Sequence, residues 1–156
     1  MKKRKIEKSY LYNGFGFPIL LEDVPMVEIR GTWTPEVNYN ILQKVVLLAL
    51  CYQSNALTGN QVRFIRKYFE MTLDKFAKKF DVTHAAVLKW EKKDDNPAKI
   101  LQGYEKEIRL FVLDQILSDA KEFRLAFRKI FEQSYTLSKC IPLQVDVPLE
   151  LSLRTG

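Results

Sequence analysis

The stretch from Val62 to Trp90 leaves this chain the least freedom. Thr72 stands as an N-cap before Leu73-Asp74-Lys75-Phe76-Ala77, and Asp74 lies in the first turn, where the helix dipole favours a negative charge. Phe76, Ala77 and Phe80 fall on one helical stripe, with Lys75, Lys78 and Lys79 outside it. Asp81-Val82 then turns the chain, Thr83 offers a second cap, and His84 to Trp90 make another helix. Its inward positions are Ala86, Val87 and Trp90, which leaves His84, Ala85, Leu88 and Lys89 to a partner. A helix laid across another after a tight turn is the helix-turn-helix plan, which offers its second helix to the major groove of DNA.

The rest of the chain divides around that stretch. Met1 to Lys8 (MKKRKIEK) is a charge run that reads as a solvated tail, with a phosphate-touching basic arm as the sharper alternative. From Ser9 to Trp33 the pattern turns to Gly, Pro and β-formers. Tyr10-Leu11-Tyr12 leads into the tight-turn dipeptide Asn13-Gly14, and Ile19-Leu20-Leu21 and Met26 to Ile29 read as short strands broken around Asp23-Val24-Pro25. Thr34-Pro35-Glu36 predicts a helix start, with Val37, Ile41, Leu42, Val45, Val46, Leu48 and Ala49 as its apolar face. Cys51, at its end, reads as a small core residue.

Gln53 to Leu57 is a polar connector and the predicted domain division. The first helix beyond it starts near Thr58 or Gly59 and carries Val62, Ile65 and Phe69 inward. Lys92 to Pro97 is a helix-breaking loop, followed by amphipathic helices over Tyr104–Leu117 and beyond the Ser118-Asp119 cap. The aromatic richness of the last helix (Phe123, Phe127, Phe131) suits a core or a dimer seam. Cys140 to Pro148 alternates like a short edge strand, placed to pair with the N-terminal sheet or a partner chain. The expected organisation is a strand-rich segment plus helix over 1–56, a helix-turn-helix domain over 57–117, and a C-terminal helix and extended tail over 118–156. The fold class is mainly α with a small N-terminal β-rich part, built around a Cro/repressor-like helix-turn-helix bundle.

Composition narrows the function classes. With 156 residues, 47% apolar content and a net charge of +6, the chain can build a core and favours an anionic partner. Cys51 and Cys140 are too far apart for a metal-ligand spacing and too few for a disulfide scaffold. No apolar segment is long enough to span a bilayer, and the basic N-terminus lacks a signal-peptide core, so the expected location is the reducing cytoplasm. No nucleophile–histidine–acid set, metal cluster or phosphate-binding glycine loop is present, and His84 is the only histidine. An enzyme, a cofactor and a metal are therefore not expected.

The run Thr72 to Ala77, then Val82-Thr83, then Val87 to Glu91, resembles the Cro/repressor-type helix-turn-helix family. With Leu57 to Arg66 before it, the chain is more closely similar to the DNA-binding half of MqsA-type (YgiT-like) antitoxins, a likeness that covers roughly Leu57 to Leu117. A weaker likeness to their strand-rich N-terminal domain runs over Tyr12 to Glu22 and Glu28 to Gly31. The paired Cys-x-x-Cys zinc ligands of that domain do not exist here. The resemblance implies a transcriptional regulator that binds double-stranded DNA as a homodimer, with a toxin protein as a further partner. It also implies that Arg66 pairs with Glu91 to fix the third helix. Within that plan Thr72 and Thr83 start helices that anchor phosphates, while His84, Ala85 and Lys89 face the groove. Lys75, Lys92 and Lys99 add phosphate attraction. Ala85 and Leu73 stand where the family often carries polar residues, and Asp81 replaces the turn glycine.

Overall fold

A computed structural model describes residues 2–137 and 142–147. Among them the fold is mixed α/β, with a four-stranded sheet and six helices. Strand β2 (Ile19–Ile29) is the spine of the sheet. Along one edge it pairs antiparallel with β1 (Arg4–Tyr12). The other edge is shared end to end: β3 (Thr32–Pro35) pairs antiparallel with Met26–Ile29, and β4 (Leu143–Asp146) pairs parallel with Ile19–Glu22. The C-terminal segment thus joins the N-terminal sheet. Cys140 and everything beyond Val147 lie outside the described residues.

Several local expectations for this half need correction. The charge run is largely strand, not tail: Arg4 to Lys8 form the first half of β1. An edge strand needs a backbone partner on one side only, so its charged side chains stay solvated while its backbone pairs, and lysines there discourage further pairing. Lys5 also lies 4.5 Å over the Trp33 ring, and Arg4 meets Glu36 at 3.0 Å. Second, β2 is continuous through Asp23-Val24-Pro25. Asp23 takes a φ of +51° and shifts the inward phase from Ile19 and Leu21 to Val24 and Met26, without changing the register with β1. Third, Thr34 and Pro35 end a strand instead of starting a helix. Helix α1 (Tyr39–Tyr52) is capped by Asn38, whose Oδ1 accepts from the amides of Asn40 and Ile41. Proline suits a strand end as well as a first helical turn, and asparagine is a stronger cap than threonine.

Asn13-Gly14 opens a wider connection than a two-residue hairpin loop, closed by the Gly16 amide donating to the Asn13 carbonyl at 3.1 Å. Helix α1 buries Leu42, Val46, Leu47, Leu50 and Cys51. This stripe is rotated from the expected one: Val45, Leu48 and Ala49 are only partly buried, and Ile41 is exposed. Helices α2 (Gly59–Tyr68), α3 (Leu73–Lys79), α4 (His84–Glu91), α5 (Gln102–Ile116) and α6 (Ala120–Glu132) follow. Asp119 caps α6 by accepting from the Lys121 amide. One hydrophobic cluster runs from β2 through α1 into Val62 and Ile65, Phe76, Val87, and Ile108 and Val112, so it crosses the Gln53–Leu57 connector.

That connector is held by a buried cation. Arg109, on α5, donates to the carbonyls of Cys51 (3.2 Å), Gln53 (2.7 Å) and Asn55 (2.7 Å), and its guanidinium lies 3.5 Å over the Tyr135 ring. Glu105, one turn earlier, accepts from the Leu57 amide at 2.9 Å and faces Arg109 at 3.5 Å. Both side chains are almost fully buried. Burial pushes the Glu105 carboxyl up and the Arg109 guanidinium down, and their mutual attraction opposes both shifts. Burial likewise pushes the Cys51 thiol up to about 12, which keeps it protonated and inert beside the Arg109 carbonyl.

Among the described residues no helix is long and apolar enough to cross a membrane. Replacing Arg109 with methionine strips three carbonyls of their donor and leaves Glu105 unpaired in the core. Breaking a buried pair this way costs about 3–5 kcal/mol. Arg109→Met is therefore expected to lower the thermal midpoint by about 10 °C, measured by circular dichroism.

Candidate nucleic-acid interface

Helices α2, α3 and α4 are each started by a threonine whose side chain accepts an amide of its own first turn. Thr58 accepts from Gln61 in a reciprocal capping box, Thr72 from Lys75 at 3.1 Å, and Thr83 from Ala86 at 3.1 Å. Helices α2 and α3 end alike. The chain enters the left-handed region at Glu70 (φ +54°) and Asp81 (φ +55°). Met71 and Val82 then bond back to the carbonyls of Arg66 and Ala77, and Glu70 and Asp81 to those of Lys67 and Lys78. This is the Schellman closure, usually given to glycine. Here two acids hold it, at the steric cost of a Cβ.

Helix α4 packs on α2 and α3 through Val87 and Trp90. Behind it Phe76 and Phe80 meet edge to face at 4.8 Å, and Phe80 continues to Phe111 of α5 at 5.7 Å. His84, Ala85, Leu88 and Lys89 form the exposed face. The His84 Nδ1 is bonded to Asp74 at 2.7 Å, which ties the first turn of α4 to that of α3. Thr72, Thr83 and Lys75 are exposed at the same end. Lys92 caps the opposite end of α4. Lys99 follows a loop that folds back on the start of α2 through Gly59-to-Asn96, Asn60-to-Asp94 and Ala98-to-Leu57 bonds. It is exposed, at φ +60°.

Glu91 closes α4 and is 3% exposed. Arg66 grips its carboxylate with both prongs, Nε to Oε2 at 2.7 Å and Nη2 to Oε1 at 2.9 Å, and Nη1 reaches the Met71 carbonyl at 3.0 Å. The hydrogen bond to Glu91, more than any other effect, raises the pKa of the Arg66 guanidinium. Arg63 is a second cation on the same carboxylate, with Nε 3.3 Å from Oε1 and Nη2 3.0 Å from the Glu91 carbonyl. Arg63 was not foreseen from sequence, although it stands one helical turn before Arg66 on the same face of α2. Gly59 was missed too. A Cβ there would lie 2.6 Å from the Trp90 carbonyl oxygen and 2.8 Å from that of Glu91, so only glycine lets α2 meet the end of α4.

Among the described residues no group of three or more His, Cys, Asp or Glu is placed to hold a metal. The arrangement is a two-helix unit with a locked orientation, an exposed face of mixed polarity, and lysines around it.

Glu91→Gln removes the anion that two guanidinium groups share. The expected loss is about 3 kcal/mol, the low end for a buried pair because Arg63 stays partly solvated, with a shift in Trp90 fluorescence as α4 loosens. Conversely, Asp81→Gly relieves the left-handed residue and raises stability by about 0.5–1 kcal/mol in chemical denaturation. Comparison with family models, with curated proteins and with solved structures found no match for this chain.

Proposed function

We propose that the chain is a sequence-specific, DNA-binding transcriptional regulator of antitoxin-like type. In this reading α2 to α4 form a Cro/repressor-like helix-turn-helix, α4 enters the major groove, and two copies read a palindromic operator. The observation that carries it is the division of α4: Val87, Trp90 and Glu91 are buried, while His84, Ala85, Leu88 and Lys89 are exposed on a helix oriented by Arg66 and Arg63. A groove-reading helix needs both properties, because base contacts demand a fixed pose and a free face.

The roles follow from chemistry. Lys89 suits guanine O6 or N7, His84 offers Nε2, and Ala85 and Leu88 suit thymine methyl groups. The first-turn amides after Thr72 and Thr83 suit phosphates, and Lys75, Lys92 and Lys99 supply the surrounding positive field. A homodimer places two such helices about 34 Å apart. The protein acts in the cytoplasm as a non-enzyme, with neither metal nor cofactor.

A second reading makes protein docking the main role, with a toxin as partner. The outer edge of β1, nine residues long, has no strand beside it among the described residues, and Ile6 and Leu11 are exposed along it. Such an edge accepts an added strand.

Selection of bound genomic fragments by the purified protein tests the leading reading, which expects enrichment of a two-fold repeat. Lys89→Ala should then weaken operator binding by about tenfold, with the thermal midpoint unchanged because Lys89 is solvated. Failure to enrich any DNA, together with co-purification of a partner protein, would replace this reading with the second.

A further inference from the structure

Between the β1–β2 connection, α1 and α2 lies a cleft of about 450 Å³, lined by Phe15, Gln43, Arg63, Phe64, Lys67 and Tyr68, with Gly14, Gly16 and Asn60 at its borders. That volume falls in the range of metabolite sites. Its lining holds two cations and no carboxylate. The Lys67 side chain is exposed and makes no hydrogen bond or ion pair among the described residues. Arg63 spends three of its five N–H groups, on Asn60, on the Glu91 carboxylate and on the Glu91 carbonyl. One N–H on each terminal nitrogen is left over, and the side chain is 36% exposed. The lining is also aromatic, with Phe15 stacked on Phe64 at 5.2 Å. Positive donors beside flat apolar rings select one ligand class: an anion carried on a ring.

We propose that this cleft binds a small ring-bearing carboxylate or phosphate, and that the ligand acts on α4 through Arg63. Lys67 and the spare N–H groups of Arg63 take the anion, the carboxamide of Gln43 adds polar contact, and Phe15 and Tyr68 cover the ring. Arg63 is the link, because the same guanidinium holds the carboxylate and the carbonyl of Glu91 at the end of α4. An anion that competes for it weakens one of the two grips on that residue, leaving the Arg66 fork in place. Any consequence for DNA affinity rests on the reading of α4 as the groove helix; the binding site does not.

The test is calorimetric titration of the full chain without DNA at physiological salt. The probes are naphthoate and adenosine monophosphate, their neutral counterparts naphthamide and adenosine, and inorganic phosphate. At least one ring-bearing anion should bind at least about tenfold more tightly than its neutral counterpart and than phosphate, a preference that the paired cations set. Lys67→Gln should weaken it by about tenfold while leaving the ligand-free thermal midpoint nearly unchanged, since the Lys67 side chain is solvated and the substitution keeps its backbone bond. In a Trp33→Phe background, binding should shift the emission of Trp90, the neighbour of Glu91. Absence of binding by both ring-bearing anions overturns the site, as does binding that Lys67→Gln leaves intact. Binding with unchanged Trp90 emission overturns the link to α4. None of these readouts involves DNA, so failure of the DNA-binding reading would leave them standing.

Discussion

A buried guanidinium without a full counter-charge is expensive, and this fold is arranged to satisfy four of the five N–H groups of one, leaving its Nε without a partner among the described residues. Arg109 sits between the sheet-and-α1 half and the helical half, and its terminal nitrogens donate to the Cys51 carbonyl at the end of α1 and to the Gln53 and Asn55 carbonyls of the connector that joins them. Glu105 holds the end of the connector, at the Leu57 amide. From there the polar contacts run on without a break. Gln61 accepts from the Thr58 amide and from Gln53, so the same connector also sets the start of α2. Helix α2 carries Arg63 and Arg66, and these two fix the end of α4. The pose of the exposed helix is thus set by charged groups whose alternatives, in the core, are unpaired ones. Such groups give orientation more than they give stability, because desolvation offsets much of the Coulomb attraction.

The opposite end of α4 is held more lightly. Its first turn depends on the Thr83 cap and on the solvated His84–Asp74 contact, and surface pairs of that kind contribute little. Buried ionic contacts therefore hold the Glu91 end, and solvated ones the His84 end. That difference suits a helix whose first turn meets a partner and whose last turn anchors it. The left-handed acids Glu70 and Asp81 fit the same picture: each turn is closed by backbone bonds strong enough to hold a conformation that its residue disfavours.

The surface carries features that these interactions do not absorb. On α6 only Ala126 and Ile130 are buried, and Phe123, Phe127 and Phe131 form a ladder of rings, the last two near-parallel at 5.8 Å. Leu125 and Phe131 are well exposed. Lys106 lies over the end ring and donates to the Phe131 carbonyl, which fixes the ladder to α5 without covering it.

Much of the helical half is legible in the residues because its signals act within one turn. Thr72 and Thr83 choose their helix starts by accepting an amide three residues on, and the Phe76/Phe80 and Val87/Trp90 stripes repeat at helical spacing. The Arg66–Glu91 contact is different: 25 residues separate the pair, and only a resemblance pointed to it. Local residues left other outcomes open. Whether a basic run is tail or strand depends on an edge of β2 being free to receive it. Whether Pro35 starts a helix or ends a strand depends on Met26 standing opposite. The second cation on Glu91, the acceptors of Arg109 and the exposure of the α6 rings all depend on segments brought together across long stretches of chain. In α2 to α4 the caps and stripes are decided by near neighbours, so sequence alone determines them there; the cap and stripe of α1 depend on where β3 ends. Pairing edges, buried charges and open faces are decided by which distant surfaces meet, and only the tertiary structure settles that.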